Sequence, residues 1–220
     1  MNGGVFLKIT EDVYALESTK GNYTYLIVNE SVTLIDTGRP GQGKGILNEL
    51  NSMNINPEQI GNILITHHDI DHVGSLAMLE EETGADIWAS KEDIPYICGE
   101  KNRHGIKKFI KYIMRTKKPE KILPYPEDLK IRDIQVIPTP GHTPGHVCLL
   151  YNKVLFVGDL FRTSNGKIVP MRSFMNWDES LLRGSIVKIG NYDFEWICPA
   201  HGEPIKRNEN WNEFISNLGN

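Results

Sequence analysis

The sequence is poor in the residues that would announce a disulfide framework. Its 220 residues hold three cysteines, Cys98, Cys148 and Cys198, an odd number, widely spaced and without a C-x-x-C pair. Neither a disulfide network nor a thiolate zinc site is expected of them, and they read as reduced core residues. Long apolar runs are missing too: no stretch approaches the roughly 20 residues that span a bilayer, and Met1 to Lys8 lacks a basic segment leading into an apolar one. A cytoplasmic protein without stable membrane association is the expectation. There is no short-period repeat and no low-complexity tract. Nor is there an excess of positive charge: 24 Lys and Arg stand against 28 Asp and Glu, a net charge of -4, which speaks against nucleic acid as a partner.

What remains is the composition of a packed domain, with 40% hydrophobic and 24% charged residues. A single domain over residues 1–220 is expected, in a mixed α/β (α+β) arrangement. Val13 to Leu16, Tyr23 to Val28 and Val32 to Ile35 are β-branched or aromatic runs divided by turn formers. Lys44 to Met53 has helical spacing, Asn62 to Ile65 is a buried strand, a helix runs from about Val73 to Thr83, and Ala85 to Ala89 is a strand again. Ile134 to Ile137, Val147 to Tyr151, Val154 to Val157 and Phe194 to Ile197 complete the strands, with helices from Glu179 to Ile189 and Trp211 to Leu218. Between Lys101 and Lys121 lie nine cations and one acid, Glu120. There Ile106, Phe109, Ile110, Ile113 and Met114 follow helical spacing, so a basic helical insertion is expected at about residues 99–121. It is either a solvated surface helix or a wall that favours anionic substrates.

The histidines carry the chemistry. Six of seven fall in three short stretches, leaving only His104 apart. Thr66-His67-His68-Asp69-Ile70-Asp71-His72 follows the apolar Ile63 to Ile65, so alternate residues His67, Asp69 and Asp71 can converge, with His72 opening the next helix. Pro140-Gly141-His142-Thr143-Pro144-Gly145-His146 follows a second apolar strand, Gly158-Asp159 a third, and Pro199-Ala200-His201-Gly202 a fourth. Four strands thus each end in an imidazole or carboxylate, donors that suit Zn, Fe and Mn.

This order of motifs resembles the H-x-H-x-D-H, Gly-His, Gly-Asp and Ala-His-Gly signature of the metallo-β-lactamase superfamily, and Asp36-Thr37-Gly38 matches that family's early Asp turn. The same turn also reads as an ordinary strand-to-loop connection. The resemblance implies a four-layer αββα sandwich with two metal ions at one edge. It implies His67, Asp69 and His142 on one ion, Asp71, His72 and His201 on the other, and Asp159 between them. His146 matches no ligand position and is expected to support the site from behind.

One position departs from the family pattern: Asp69 stands where the family has histidine. A register using His68 instead would break the alternation that joins His67 to Asp71. Three carboxylates and a bridging hydroxide would balance two divalent ions, so Fe or Mn becomes a competitor to Zn, which is still the first expectation. The function implied is hydrolysis of a small ester, thioester or lactone by a metal-bridging hydroxide, with Asp71 as the catalytic proton acceptor. A small molecule, anionic in one version, is the expected partner. The rivals are a phosphodiesterase on the same centre and a di-iron oxidoreductase-like protein. Phe161 and Arg162, just beyond Asp159, are candidates for substrate contact.

Overall fold

Several of the apolar runs are too continuous for strands with one wet face, and the structure shows why: they are buried on both sides. The computed structural model describes residues 6–103 and 117–218. The first sheet contains β1 (Leu7–Lys8), β2 (Val13–Ala15), β3 (Tyr25–Val28), β4 (Val32–Ile35), β5 (Ile60–Leu64), β6 (Asp86–Ala89) and β7 (Leu123–Pro124), in that order. It is antiparallel through β4 and parallel from β4 to β7.

The second sheet contains β8 (Lys130–Ile131), β9 (Ile134–Pro138), β10 (Val147–Tyr151), β11 (Val154–Gly158), β14 (Trp196–Pro199) and β15 (Ile205–Lys206), in the order β15-β14-β11-β10-β9-β8. The strands β12 (Arg162–Ser164) and β13 (Lys167–Val169) form a separate hairpin. The helices are α1 (Gly43–Ser52), α2 (Ile70–Val73), α3 (Leu76–Thr83), α4 (Ile94–Ile97), α5 (Glu179–Ile189) and α6 (Glu209–Leu218).

Neighbouring residues on a strand point to opposite faces, and here both faces are core. Ile35, Leu64, Leu149, Phe156 and Cys198 meet between the sheets. Their neighbours Leu34 and Ile63 pack outward on Ile46, Leu50, Leu76 and Leu79 of α1 and α3. On the other side Cys148, Leu155 and Ile197 pack on Leu182, Ile186, Ile189, Trp211 and Phe214 of α5 and α6. The result is the αββα sandwich. Truncating a residue such as Phe156 to alanine would cost about 3–5 kcal/mol. Among the described residues no helix is long and apolar enough to cross a membrane.

Two sequence expectations shift. The helix from Val73 to Thr83 is divided at Gly74 and Ser75: the Gly74 amide donates to the Gly38 carbonyl at 2.9 Å and Ser75 Oγ to the Arg39 carbonyl at 2.8 Å, an approach at which a Cβ on Gly74 would stand 2.3 Å from the Pro40 nitrogen. The last apolar run becomes a strand only at Trp196, while Phe194 turns its ring edge-on to Trp211 at 5.3 Å. Most of the basic segment, residues 104–116, lies outside the described residues, and with it the expected helix and His104.

Candidate metal centre

The ends of β5, β9, β11 and β14 all open at the same edge of the sandwich, and the loops that leave them bring together all seven residues singled out in the sequence. His67, Asp69, His142 and Asp159 form one group of buried donors; Asp71, His72 and His201 form a second. Asp159 Oδ2 lies 3.4 Å from the Nε2 of both His142 and His201 and 3.9 Å from that of His67, while its Oδ1 is 3.3 Å from His72 Nε2. The shared carboxylate therefore faces both groups.

The first stretch does not work by strand alternation. Asp69 precedes the short helix α2, and Asp71 and His72 are consecutive residues on it. Asp69 Oδ2 turns to His142 Nε2 at 3.1 Å and His67 Nε2 at 3.7 Å, whereas Asp71 Oδ2 meets His201 Nε2 at 3.4 Å. His68 faces away: its Nδ1 is 3.0 Å from Asp93 and its ring stacks on Tyr96 at 4.4 Å, leaving Nε2 3.8 Å from Asp69 Oδ1.

Each converging imidazole is held by its far nitrogen. His72 Nδ1 lies 2.8 Å from Asp36 Oδ2, His142 Nδ1 2.8 Å from Asn176 Oδ1, His201 Nδ1 3.1 Å from the Gly21 carbonyl, and His67 Nδ1 3.1 Å from Thr66 Oγ1. The carbonyl must accept, so His201 carries its proton on Nδ1 and keeps Nε2 for the centre. Asp36 sits at φ 59°, a left-handed conformation that Asp tolerates, and its other oxygen accepts from the Thr66 amide at 2.8 Å. The early Asp turn is thus part of the site.

Glycines set the approach of two loops. Gly141, at φ 141°, lies so close to α5 that a Cβ would be 2.3 Å from Leu182 Cα, and Gly158, at φ 49°, would place one 2.8 Å from His146 Nε2. That His146 nitrogen accepts the Asp159 amide at 3.2 Å while Nδ1 donates to Thr139 Oγ1 at 2.9 Å. Burial, reinforced by His142, pushes the ring's pKa down to about 3, so His146 is a neutral brace behind Asp159.

Charges inside the site compensate one another. Burial works against the Asp159 carboxylate, yet His201 and His72 hold its pKa well below the usual range. In return Asp159 raises His201 to about 10, against the pull of burial. Burial and the nearby His72 hold His67 well below the usual imidazole range, whereas Asp36 and Asp159 raise His72 against the pull of burial.

Three participants were invisible in the sequence. Asp93, fully buried, accepts from the His68 amide at 3.0 Å, Thr143 Oγ1 at 2.8 Å and the Gly145 amide at 2.9 Å, tying the first two histidine loops together across the sheets. Asn176 orients His142 from a loop that also bears the exposed Phe174 and Trp177. Arg103 reaches back from the start of the basic segment, donating through Nε and Nη2 to the His68 carbonyl at 3.2 and 2.6 Å. Only the sharing of polar types hinted at these, and their partners are distant in the chain. Phe161, by contrast, is a correction: it is fully buried against Trp211 and Phe214 and has no access to substrate.

Whether these residues suit metal ions can be read from the donors themselves. His67 Nε2, His72 Nε2 and Asp159 Oδ1 are buried with no hydrogen-bond partner of good geometry, a costly state for polar atoms unless something else binds them. Four imidazoles and three carboxylates aimed at one volume are a nitrogen and oxygen set for divalent cations. The residues fit.

The sequence pattern of the metallo-beta-lactamase superfamily matches residues 19–201. The probable metallo-hydrolase YybB of Bacillus subtilis is 33% identical over 162 residues, covering 68% of this chain and 69% of that protein. A hydroxyacylglutathione hydrolase of Shewanella sp. is 26% identical over 182 residues, covering 79% of this chain and 61% of that one. The solved structure of TTHA1623 in a di-iron-bound form superposes with a TM-score of 0.68 at 23% identity, over 92% of this chain and 93% of the other. The fold and the clustered donors define a metal-dependent hydrolase class. The chain belongs to the metallo-β-lactamase superfamily.

Proposed function

We propose that this protein hydrolyses a small ester, thioester or lactone at a dinuclear metal centre. The observation that carries the reading is the convergence of four Nε2 atoms on the Asp159 carboxylate at 3.3 to 3.9 Å, with every far nitrogen already engaged. His67, Asp69 and His142 would hold one ion, Asp71, His72 and His201 the other, and Asp159 both. When bound, two divalent ions supply an activated water and stabilise the charge of a tetrahedral transition state. Zn is the first candidate. The oxygen-rich first group, with Asp69 in place of an imidazole, makes Fe or Mn a competitor.

The chain's own contribution is orientation and proton handling. Side-chain exposure is 0% for His67 and His142 and 7% for Asp69, against 25% for Asp71 and 24% for His201. This exposure supports Asp71 as the carboxylate that would meet substrate, take a proton and pass it to the leaving group. The Asn22 side-chain amide donates to the Asp71 carbonyl and steadies its backbone. Relatives named hydroxyacylglutathione hydrolase lend weight to an acyl substrate.

The test is an activity screen of metal-defined protein against lactone, thioester, phosphodiester and β-lactam panels, with Asp71→Ala as the blank. Turnover of acyl substrates by the natural protein and its loss in the variant are expected. Equal turnover by the two proteins would end the proposed role of Asp71, and turnover confined to phosphodiesters would replace the acyl reading.

A further inference from the structure

Arg103 is spent on a surprisingly small task. Its Nε and Nη2 both donate to a single acceptor, the carbonyl of His68, although a guanidinium offers five donor hydrogens in a rigid fork. Nη1 has no hydrogen-bond partner among the described residues, and no described carboxylate forms an ion pair with the side chain. Yet the residue is half-buried, and burial alone would weaken its charge.

Its position gives that charge a direction. Asp69, Asp71 and Asp93 are near enough to act on it electrostatically, and its anchor, His68, is flanked by the donors His67 and Asp69. The wall is stiff: His68 stacks on Tyr96 at 4.4 Å, Lys101 Nζ lies 5.8 Å from the centre of the Tyr96 ring, and Asp93 fixes the His68 amide. A cation with one edge pinned and the other unassigned, beside a hydrolytic centre, is arranged to receive an anion.

We propose that Arg103 is a specificity-determining residue that binds a carboxylate on the acyl substrate, so that the enzyme prefers monoanionic esters or thioesters over neutral ones. A carboxylate matches the planar fork. A doubly charged phosphate would meet the surrounding aspartates with one cation to offset it, and is disfavoured. This deepens the hydrolase reading and rests on it.

The experiment compares two thioesters of one thiol, the succinic monothioester and the succinamic thioester, which differ in a terminal carboxylate or amide. The natural protein is expected to show a higher kcat/KM for the first. In Arg103→Gln the ratio of the two values should fall about 10- to 100-fold, the usual worth of a charge-assisted hydrogen bond, with the change in KM. Arg103→Lys, which keeps the charge without the fork, should fall in between and serves if the glutamine variant does not fold. Calorimetric binding of the matching non-hydrolysable thioethers to metal-loaded protein should give the same ratio. If the natural protein turns over neither thioester, the acyl reading fails while the thioether ratio still tests Arg103. An unchanged ratio, or an equal loss for both compounds with loss of bound metal, overturns the proposal and leaves Arg103 as a support for His68.

Discussion

The two donor groups differ in how they are walled. His67, Asp69 and His142 are almost completely enclosed, whereas Asp71 and His201 each leave about a quarter of the side chain exposed. The enclosed group has its carboxylate, Asp69, inside and is steadied from behind by neutral groups, Thr66 and Asn176. The open group is steadied directly by a buried carboxylate, Asp36, behind His72; Asp36 reaches the enclosed group only through Thr66. One half therefore draws its negative charge from a donor that departs from the family pattern, the other partly from a residue that never faces the centre. The difference suggests a fixed half and a working half.

Removing what the halves share should produce the largest effect. Asp159→Ala is expected to lower bound metal from two equivalents to below one and to cut hydrolysis at least about 100-fold, since even outer partners of metal ligands cost about 10- to 100-fold. Elemental analysis beside the assay decides it, and two retained ions would refute the bridging role. Asp36→Asn should weaken the ion on the His72 side by about 10- to 100-fold and the other less, through Thr66, read by competition with a chromophoric chelator. Asn176→Ala should do the reverse and more mildly, by about tenfold. If both variants weaken the same ion most, the division into halves is wrong.

Asp69→His should sharpen the contrast by replacing the enclosed half's own carboxylate with an imidazole, leaving only the shared Asp159. In protein made with Zn, Fe and Mn in balance, the Zn share is expected to rise by about a factor of two or more; an unchanged metal profile would separate Asp69 from metal choice. The smallest effect is expected from Phe174→Ala, exposed on the segment that carries Asn176. Stability should stay within about 0.5 kcal/mol, while KM for apolar acyl substrates rises about threefold. Thermal melts and a chain-length series of esters check both.

The mixed α/β class and the clustering of histidines and carboxylates after apolar runs were legible as short-range patterns, while the αββα layering and the division of the donors came from the resemblance to the family. Runs such as Leu155-Phe156-Val157 need burial on each side, and a histidine directly after such a run must leave the sheet at its edge. Asp93 was not legible: its partners are 25 and 52 residues away, and an aspartate before Ile94-Pro95 looks like any turn. Asn176 is 34 residues from His142. The fate of Phe161 turned on Trp211 and Phe214, whose approach no local spacing gives. The break at Gly74 required knowing that Arg39 and Pro40 pass beside it.

The two sheets are also two consecutive stretches of chain. Everything from β1 to β7 precedes Pro126, and everything from β8 to β15 follows it. His67, Asp69, Asp71 and His72 come with the first stretch; His142, Asp159 and His201 come with the second. Neither piece carries all the donors of either group, so a cation bound there would couple its own binding to docking of one piece on the other. A cation at about 100 times its Kd would add about 2.7 kcal/mol to that docking. A cut between Pro126 and Leu129 would leave each fragment with part of each donor group, and reassembly of the two is expected to follow the supply of the cation.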